Sequence, residues 1–398
     1  MPHDLVETLS GLVAIPSVNP MGRSDLGPPL LESRLTDHLE QTFRAMGLRT
    51  CRQPIAPGRD NLVARWDGAT PIESGGPLIL FDAHQDTVPA EHMTIEPWTP
   101  AVRDGRLYGR GSCDTKGGMA AMLATLARLT AERPAGMPSI VMACTVDEEY
   151  GLSGPASLPS LWTGGPGGFI PRVPDAAIVA EPTELDVIVA HKGVVRWRCH
   201  AAGHAAHSAQ PAAGDNAIYK MAPVLAAIER YGRQSMARLG VHPVLDAGTL
   251  NVGTIHGGSS INIVPDRCTI EVEMRLPPGV MPEAARRDLI ETLAAEIRTD
   301  PPLAHDPPYM QGPPLSDAAN GPLAERLSAA VREVTGTCRR GHVPYATDAA
   351  FYSAAGVHAV VFGPGSIRQA HTDDEWLPVD QLHQAAEILY QFIKSWKQ

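Results

Sequence analysis

Apolar residues along the first third of the chain fall into two alternating textures. Leu31, Leu35, Leu39, Phe43 and Met46 lie at helical spacing, and Gly47 follows as a natural stop, which predicts a helix there. PLILFDAHQDTV (77–88) reads as a buried strand that leaves the core at polar residues. SIVMACTVDEE (139–149) and AAIVAEPT (176–183) repeat that grammar, each an apolar run ending abruptly in carboxylate. Between the first two, GGMAAMLATLARL (117–129) has the pattern of a buried helix. Strand, helix, strand in this order predicts a parallel sheet with helices on both faces. Ligands of such sheets bind just outside the carboxyl ends of the strands, where the polar clusters of this chain sit.

From about residue 193 the texture changes. VVRWRCHAAG reads as a strand, GDNAIYKMAPVLAAIERY as a helix and GTLNVGTIHGG as a strand. RCTIEVEMRL alternates cleanly, and MPEAARRDLIETLAAEIR is an amphipathic helix. This strand–helix–strand–strand–helix unit predicts a separate α+β module with one half-exposed sheet, closed by the Pro-rich stretch 300–314. Buried-strand texture resumes at VHAVVFGPGS (357–366), so the module is inserted into a larger α/β domain. The expected boundaries are 1–192 with 312–398 for the larger domain and 193–311 for the insert.

Composition narrows the class. The chain has 398 residues, with 33 Lys+Arg against 44 Asp+Glu and a net charge of −11. That balance argues against nucleic acid or an anionic membrane as partner. No apolar run approaches the ~20 residues of a membrane helix. Asp4 and Glu7 are acidic where a secretory signal would be basic, so a cytoplasmic protein is expected. The six cysteines show no CxxC spacing, which argues against a disulfide scaffold or a cysteine zinc finger.

Chemistry concentrates at the predicted strand ends. Strand alternation would point His84 and Asp86 to the same side, and a metal-bound histidine needs a carboxylate on its other ring nitrogen to fix the tautomer. HxD alone is also an ordinary loop. Asp114 lies in GRGSCDTKGG, a glycine-rich turn into the buried helix that lacks the spacing of a nucleotide loop. Glu148 and Glu149 are adjacent, so in an extended stretch they point opposite ways. One could ligate a metal while the other takes protons from a water; a solvated acidic turn is the plainer alternative. Glu181 ends the third strand and His371 lies in GPGSIRQAHTDDE. Such a mixed N/O set suits zinc, with cobalt or manganese as substitutes. Five ligands for two ions require one bridging carboxylate and metals ~3.5–4 Å apart.

The motifs FDAHQDTV, GRGSCDTKGGMAAM, TVDEEYG, AEPT, GHAAHSAQPAAGDNAI, GGSSINIVPD and GPGSIRQAHTDDE span nearly the whole chain. In this order they resemble the dinuclear zinc hydrolase family of acetylornithine deacetylase, succinyl-diaminopimelate desuccinylase, aminoacylase and glutamate carboxypeptidase. The resemblance implies an α/β, mostly parallel-sheet catalytic domain of phosphorylase/hydrolase-like fold, with an inserted α+β, ferredoxin-like dimerisation or lid domain. It implies two divalent metal ions, zinc or else cobalt, and a homodimer formed through the lid. His84, Asp114 and Glu181 would hold the first ion and Asp114, Glu149 and His371 the second, with Asp114 bridging. Asp86 would orient His84, and Glu148 would be the general base. A cis peptide is implied at Asp114–Thr115.

In the insert, His207 matches the family histidine that reaches into the partner subunit's site, with His204 as the alternative if the two are misaligned. Asn262 and Arg275 match residues that bind the substrate's carboxylate end, and the backbone of Gly363 and Gly365 would face substrate or form a plain loop. His191 and Lys192 read as a hinge, and His38, His92 and His242 as ordinary. Cys113 reads as packing. The implied reaction is hydrolysis of an N-acyl-amino acid by attack of a metal-bridging hydroxide. GPGSIRQAH most resembles the acetylornithine deacetylases; a desuccinylase, a broader aminoacylase or a carboxypeptidase is the alternative. A catalytically dead relative would lose ligands or base first, and this chain keeps all of them. A mononuclear hydrolase with one tight site stays open.

Overall fold

The computed structural model describes residues 4–24, 27, 29–163 and 168–396. The chain divides into two compact units, 1–190 with 316–341 and 347–398, and 191–315 with 342–346. The short 342–346 segment belongs with the second unit, which no feature of the hydrophobic pattern indicates.

In chain order the longer elements are α1 (Leu5–Val13), α2 (Ser33–Ala45), β1 (Arg49–Ala56), β2 (Arg59–Trp66), β3 (Leu78–Asp82), α3 (Lys116–Glu132), β4 (Ser139–Cys144), β5 (Ala176–Val179) and β6 (Val187–His191). The second unit contributes β7 (Gly193–Ala202), α4 (Ala217–Gln234), β8 (Thr249–Gly257), β9 (Arg267–Leu276) and α5 (Pro282–Glu296). The chain ends with α6 (Gly321–Thr335), β10 (Arg340–Val343), α7 (Ala349–Ala354), β11 (His358–Val361) and α8 (Val379–Lys394).

The first unit is built on an eight-stranded sheet of order β1-β2-β4-β3-β5-β11-β6-β10. Its centre, β4-β3-β5-β11, is parallel, as the strand–helix–strand grammar requires. The flanks depart from the expected parallel sheet: β1-β2-β4 and β11-β6 pair antiparallel, so the sheet is mixed. Register sets Asp82 opposite both Ala143 and Val179. Three central strands therefore release their chains at one edge.

Helices pack on the sheet through the residues their spacing predicts. α2 buries Leu35, Leu39 and Phe43, and Gly47 closes it at φ +76°. Asp4 caps α1, its carboxylate accepting from the amides of Val6 and Glu7. α3 is buried along most of its length, as expected for a helix covered on several sides. Lys116, at its first turn, is also buried, and its ammonium donates to the carbonyls of Leu12 and Ile15 at 3.0 and 2.8 Å. It thereby adds a charged donor to the carbonyls at and just after the end of α1. Burial lowers its pKa to about 7, against the pull of Glu375.

The second unit has sheet order β8-β9-β7, with residues 304–305 and 310–312 pairing along β7. β9 alternates buried and partly buried residues along its length, and the buried set joins Trp197, Met221, Ile228 and Leu289 in one core. β8 has a strand partner on one side only among the described residues.

Gly118 of α3 faces the residue that follows β5: a Cβ there would lie 2.7 Å from Ala180 Cβ, one residue before Glu181. Alanine is the better helix former by about 1 kcal/mol, but overpacking an unyielding neighbour costs about 1–3 kcal/mol. Gly118→Ala is therefore expected to lower the thermal midpoint by a few degrees. A midpoint equal to or above the parent's in a melting scan would show that the helix shifts freely.

Candidate metal centre

β3 ends at Asp82, and the chain turns out of the sheet through His84 and Asp86, both buried. His84 Nδ1 lies 2.9 Å from the carbonyl oxygen of Asp86 but 3.8 Å from its carboxylate. The acceptor that sets the His84 ring is thus the Asp86 main chain, not the carboxylate expected from sequence. With Nδ1 donating there, Nε2 faces Asp114 Oδ1 at 3.1 Å.

The Asp86 carboxylate has other work. Its two oxygens accept the amides of Glu148 and Glu149, each at 3.1 Å, and Asn19 Nδ2 at 2.8 Å. β4 stops at Cys144, and Asp147 has a left-handed φ of +64°, so the acidic pair occupies a turn, not an extended stretch. Separation of the two side chains comes from that turn and its anchoring, and strand alternation does not apply. Asp147 is itself held by Arg59 at 2.8 Å and by Asn19 at 3.1 Å, and Arg59 also forks onto the buried Glu32.

Asp114 enters at the start of α3, and the Asp114–Thr115 peptide is cis. Its oxygens divide: Oδ1 faces His84, and Oδ2 lies 3.3 Å from His371 Nε2. His371 Nε2 is also 3.2 Å from Glu149 Oε2. Glu181 follows β5 and is buried. Donor atoms of His84, Asp114 and Glu181 lie within 4.8 Å of one another, and so do those of Asp114, Glu149 and His371. Two three-residue sets share one carboxylate.

Charge in this cluster is unbalanced. Burial pushes the Glu148, Glu149 and Glu181 carboxyls above their usual range, and neighbouring carboxylates add to it. Burial acts in the same direction on Asp114, but hydrogen bonds from His371 and His84 outweigh it and pull that carboxyl down. Asp114 and Glu149 in turn push His371 up to about 11. Glu149 Oε1 is buried without a hydrogen-bond partner. A buried carboxylate oxygen with an open lone pair, crowded by like charges and flanked by imidazoles, is what a divalent cation would satisfy. The donor set fits two such ions.

Around it stand residues that sequence reading did not single out. Under the cluster, Asp82 accepts from the Tyr352 hydroxyl at 2.8 Å, and Thr145 Oγ1 lies 3.2 Å from Asp82 and 2.8 Å from Asp348. Burial drives both carboxyls upward, Asp82 to about 6. Glu375 clasps the Asp114 loop. None of these carries a spacing signal, because their partners lie tens to hundreds of residues away in sequence.

Gly363 departs from its expected role. Its amide donates to Thr183 Oγ1 and its carbonyl accepts from Leu185, so neither is free for substrate. A Cβ there would meet the Glu181 carbonyl at 2.6 Å, which accounts for the glycine by packing. Gly365 likewise donates to Gln381 and accepts from Glu184. Cys113 is buried against the Ser366 carbonyl, and burial raises its thiol.

In the second unit, exposed His207 and Asn262 lie side by side, the amide of Ser208 donating to the Asn262 carbonyl at 3.0 Å. His207 Nδ1 accepts from the Ala209 amide, leaving Nε2–H free to donate outward. The main chain of His204 is paired in both directions with Asp215. Arg275, expected to act with Asn262, is at the opposite end of β9. From Arg267 to Arg275 the strand rises roughly 26 Å, so one copy of the unit does not bring these two together. Lys192 donates to the Ala247 carbonyl at 2.7 Å, and His191 Nδ1 to the carbonyl of Lys192.

Comparison with known proteins agrees with this geometry. The profile of Peptidase family M20/M25/M40 matches residues 80–395. An acetylornithine deacetylase of Myxococcus xanthus is 33% identical over 371 residues, covering 89% of this chain and 90% of its own. An M20-family metallo-carboxypeptidase from Sulfolobus solfataricus superposes with a TM-score of 0.77 at 16% identity, covering 98% of both chains. A dinuclear metal-binding M20 peptidase from Bacillus subtilis gives 0.66 at 15% identity, covering 98% of this chain and 96% of its own. On the profile match and on the identity to the Myxococcus enzyme, the chain belongs to the peptidase family M20/M25/M40 and is a hydrolase of amide bonds.

Proposed function

We propose that this hydrolase uses two divalent ions, zinc in the first place, to remove the acyl group from an N-acyl-amino acid, with N-acetylornithine as the leading substrate. The observation that carries the metal reading is the division of Asp114, one oxygen toward His84 and the other toward His371. Support for the substrate is the 33% identity to a relative named acetylornithine deacetylase, together with the GPGSIRQAH string.

His84, Asp114 and Glu181 would hold one ion and Asp114, Glu149 and His371 the other. When bound, the pair supplies Lewis-acid polarisation of the amide carbonyl and acidifies the attacking water. Glu148 is the base: it accepts a proton from that water and returns it to the leaving nitrogen. Its half-buried setting, which raises proton affinity, suits a group that must hold a proton between the two steps. Asp86, through the amides of Glu148 and Glu149, fixes base and ligand relative to each other.

His207 and Asn262 would act in the site of a second copy, His207 Nε2–H steadying the carbonyl oxygen as it gains charge. Arg275 would fork onto the substrate carboxylate. Because Arg275 lies near one end of β9 and Asn262 beyond the other, both meet one substrate only if they come from different copies. The one-sided edge of β8 and exposed Ile255, Ile261 and Ile263 are consistent with a homodimer through this unit. No helix among the described residues is long and apolar enough to cross a membrane.

Glu148→Ala should keep two equivalents of bound zinc and lose turnover by roughly 10²–10⁴-fold; full turnover in that variant removes Glu148 from the mechanism. With zinc- or cobalt-loaded protein, hydrolysis of N-acetylornithine should exceed that of N-succinyl-diaminopimelate and of other N-acyl-amino acids, and should vanish after EDTA stripping. A different preference reassigns the substrate, whereas chelator-resistant hydrolysis ends the metal reading. His207→Ala and Asp114→Ala should each be inactive, yet regain part of the activity when mixed under subunit exchange. Heterodimers that stay silent count against donation in trans.

A further inference from the structure

Asp114 and His371 share an ion in the reading above, although 257 residues separate them in sequence, and their spacing has to be set by something other than themselves. His371 offers little: it sits on an exposed bend with a left-handed φ of +63°, and its side chain is 53% exposed. Asp114 lies in a glycine-rich loop ahead of α3. Four residues after His371, the buried carboxylate of Glu375 reaches across to that loop. Oε1 accepts the amides of Cys113 at 2.9 Å and of Asp114 itself at 3.0 Å. Oε2 accepts the amide of Gly111 at 3.0 Å and Arg110 Nη1 at 2.8 Å. The carbonyl of Glu375 accepts the Gly109 amide at 3.0 Å, and residues 376–378 continue as a strand paired with 106–108. One acidic side chain therefore closes four donors from five consecutive residues of the loop, and does so from the segment that bears His371.

We propose that Glu375 is a positioning residue that sets the distance between Asp114 and His371, and so the affinity of the metal set those two share with Glu149. Four charge-assisted hydrogen bonds on one buried carboxylate hold the loop more firmly than a neutral acceptor could. The proposal rests on the two-ion reading. Glutamine in its place would turn an NH2 toward two of the donors and leave them unpaired.

The test is a titration of metal-free Glu375→Gln with Co²⁺, followed by visible absorption, with bound zinc measured separately and the parent protein alongside. The expected result is one of the two equivalents bound about 10–100-fold more weakly, the other bound as in the parent, a metal-free melting midpoint lowered by a few degrees because buried donors lose their acceptor, and a fall in kcat with KM little changed. Unchanged affinity at both equivalents overturns the proposal. An equal loss at both equivalents also overturns it, because that is general loosening. If Glu375→Gln does not fold, Glu375→Asp keeps the charge on a shorter arm, and the same selective weakening is required of it. A parent protein that binds no second ion would instead end the two-ion reading, so the two failures are told apart.

Discussion

Everything at the carboxyl edge of the sheet answers to one constraint: several carboxylates are buried within contact of one another. At ~4 Å and an effective dielectric of ~20, each pair of like charges costs about 4 kcal/mol. The chain does not avoid that repulsion by spreading the groups. It surrounds them with fixed donors, the amides of Glu148 and Glu149 on Asp86, Asn19 and Arg59 on Asp147, and four donors on Glu375. The carboxylates that face inward, Asp114, Glu149 and Glu181, receive no such amides and have two imidazoles instead. This division separates the groups that shape the site from those that, in the proposed reading, would hold cations.

The sheet makes the crowding achievable. Parallel register brings the ends of β3, β4 and β5 level, so one residue past each strand the chain is already at the same edge. Short strands help, because each ends within two to five residues of its functional side chain. Gly118 and Gly363 then let α3 and the loop after β11 close onto the Glu181 segment, at Ala180 Cβ and the Glu181 carbonyl, with no side chain between. Packing of this density lets a shift at a clasp such as Glu375 be felt as a change in metal geometry and not absorbed by slack.

How much of this was legible beforehand depended on the range of the interaction. Apolar runs that end in acids marked β3, β4 and β5, and helical spacing marked α2, α3, α4 and α5, because those signals are local. The β1–β2 hairpin escaped, since β1 carries Arg49, Arg52, Gln53 and Pro54 and its residues show no regular alternation of burial. That hairpin on one flank and the antiparallel β6 on the other make the sheet mixed, where strand–helix–strand grammar alone predicts a parallel one. The residues that meet around Asp114 were named from motifs, while the direction in which each points was not. Alternation failed for His84 and for the Glu148–Glu149 pair because the strands end before them, and turn geometry takes over. Glu375, Asp348, Lys116 and Arg59 were invisible: a buried charge is recognised by its partner, and theirs are far along the chain.

The inserted unit poses the complementary problem. A ten-residue strand is a rigid spacer, and β9 carries Arg275 near one end while Asn262 and His207 cluster beyond the other. Rotation of a side chain covers a few ångströms, and flexing of a hydrogen-bonded strand covers less, so a separation of roughly 26 Å is fixed by secondary structure alone. If Asn262 and Arg275 both act on one small amide, as proposed, they cannot do so within a single copy of this unit. Either one end of β9 has no part in binding, or the functional molecule contains two copies that exchange ends. The exposed isoleucines beside the Asn262 end and the edge of β8, which has a strand partner on one side only among the described residues, offer the proposed second copy an apolar surface to cover.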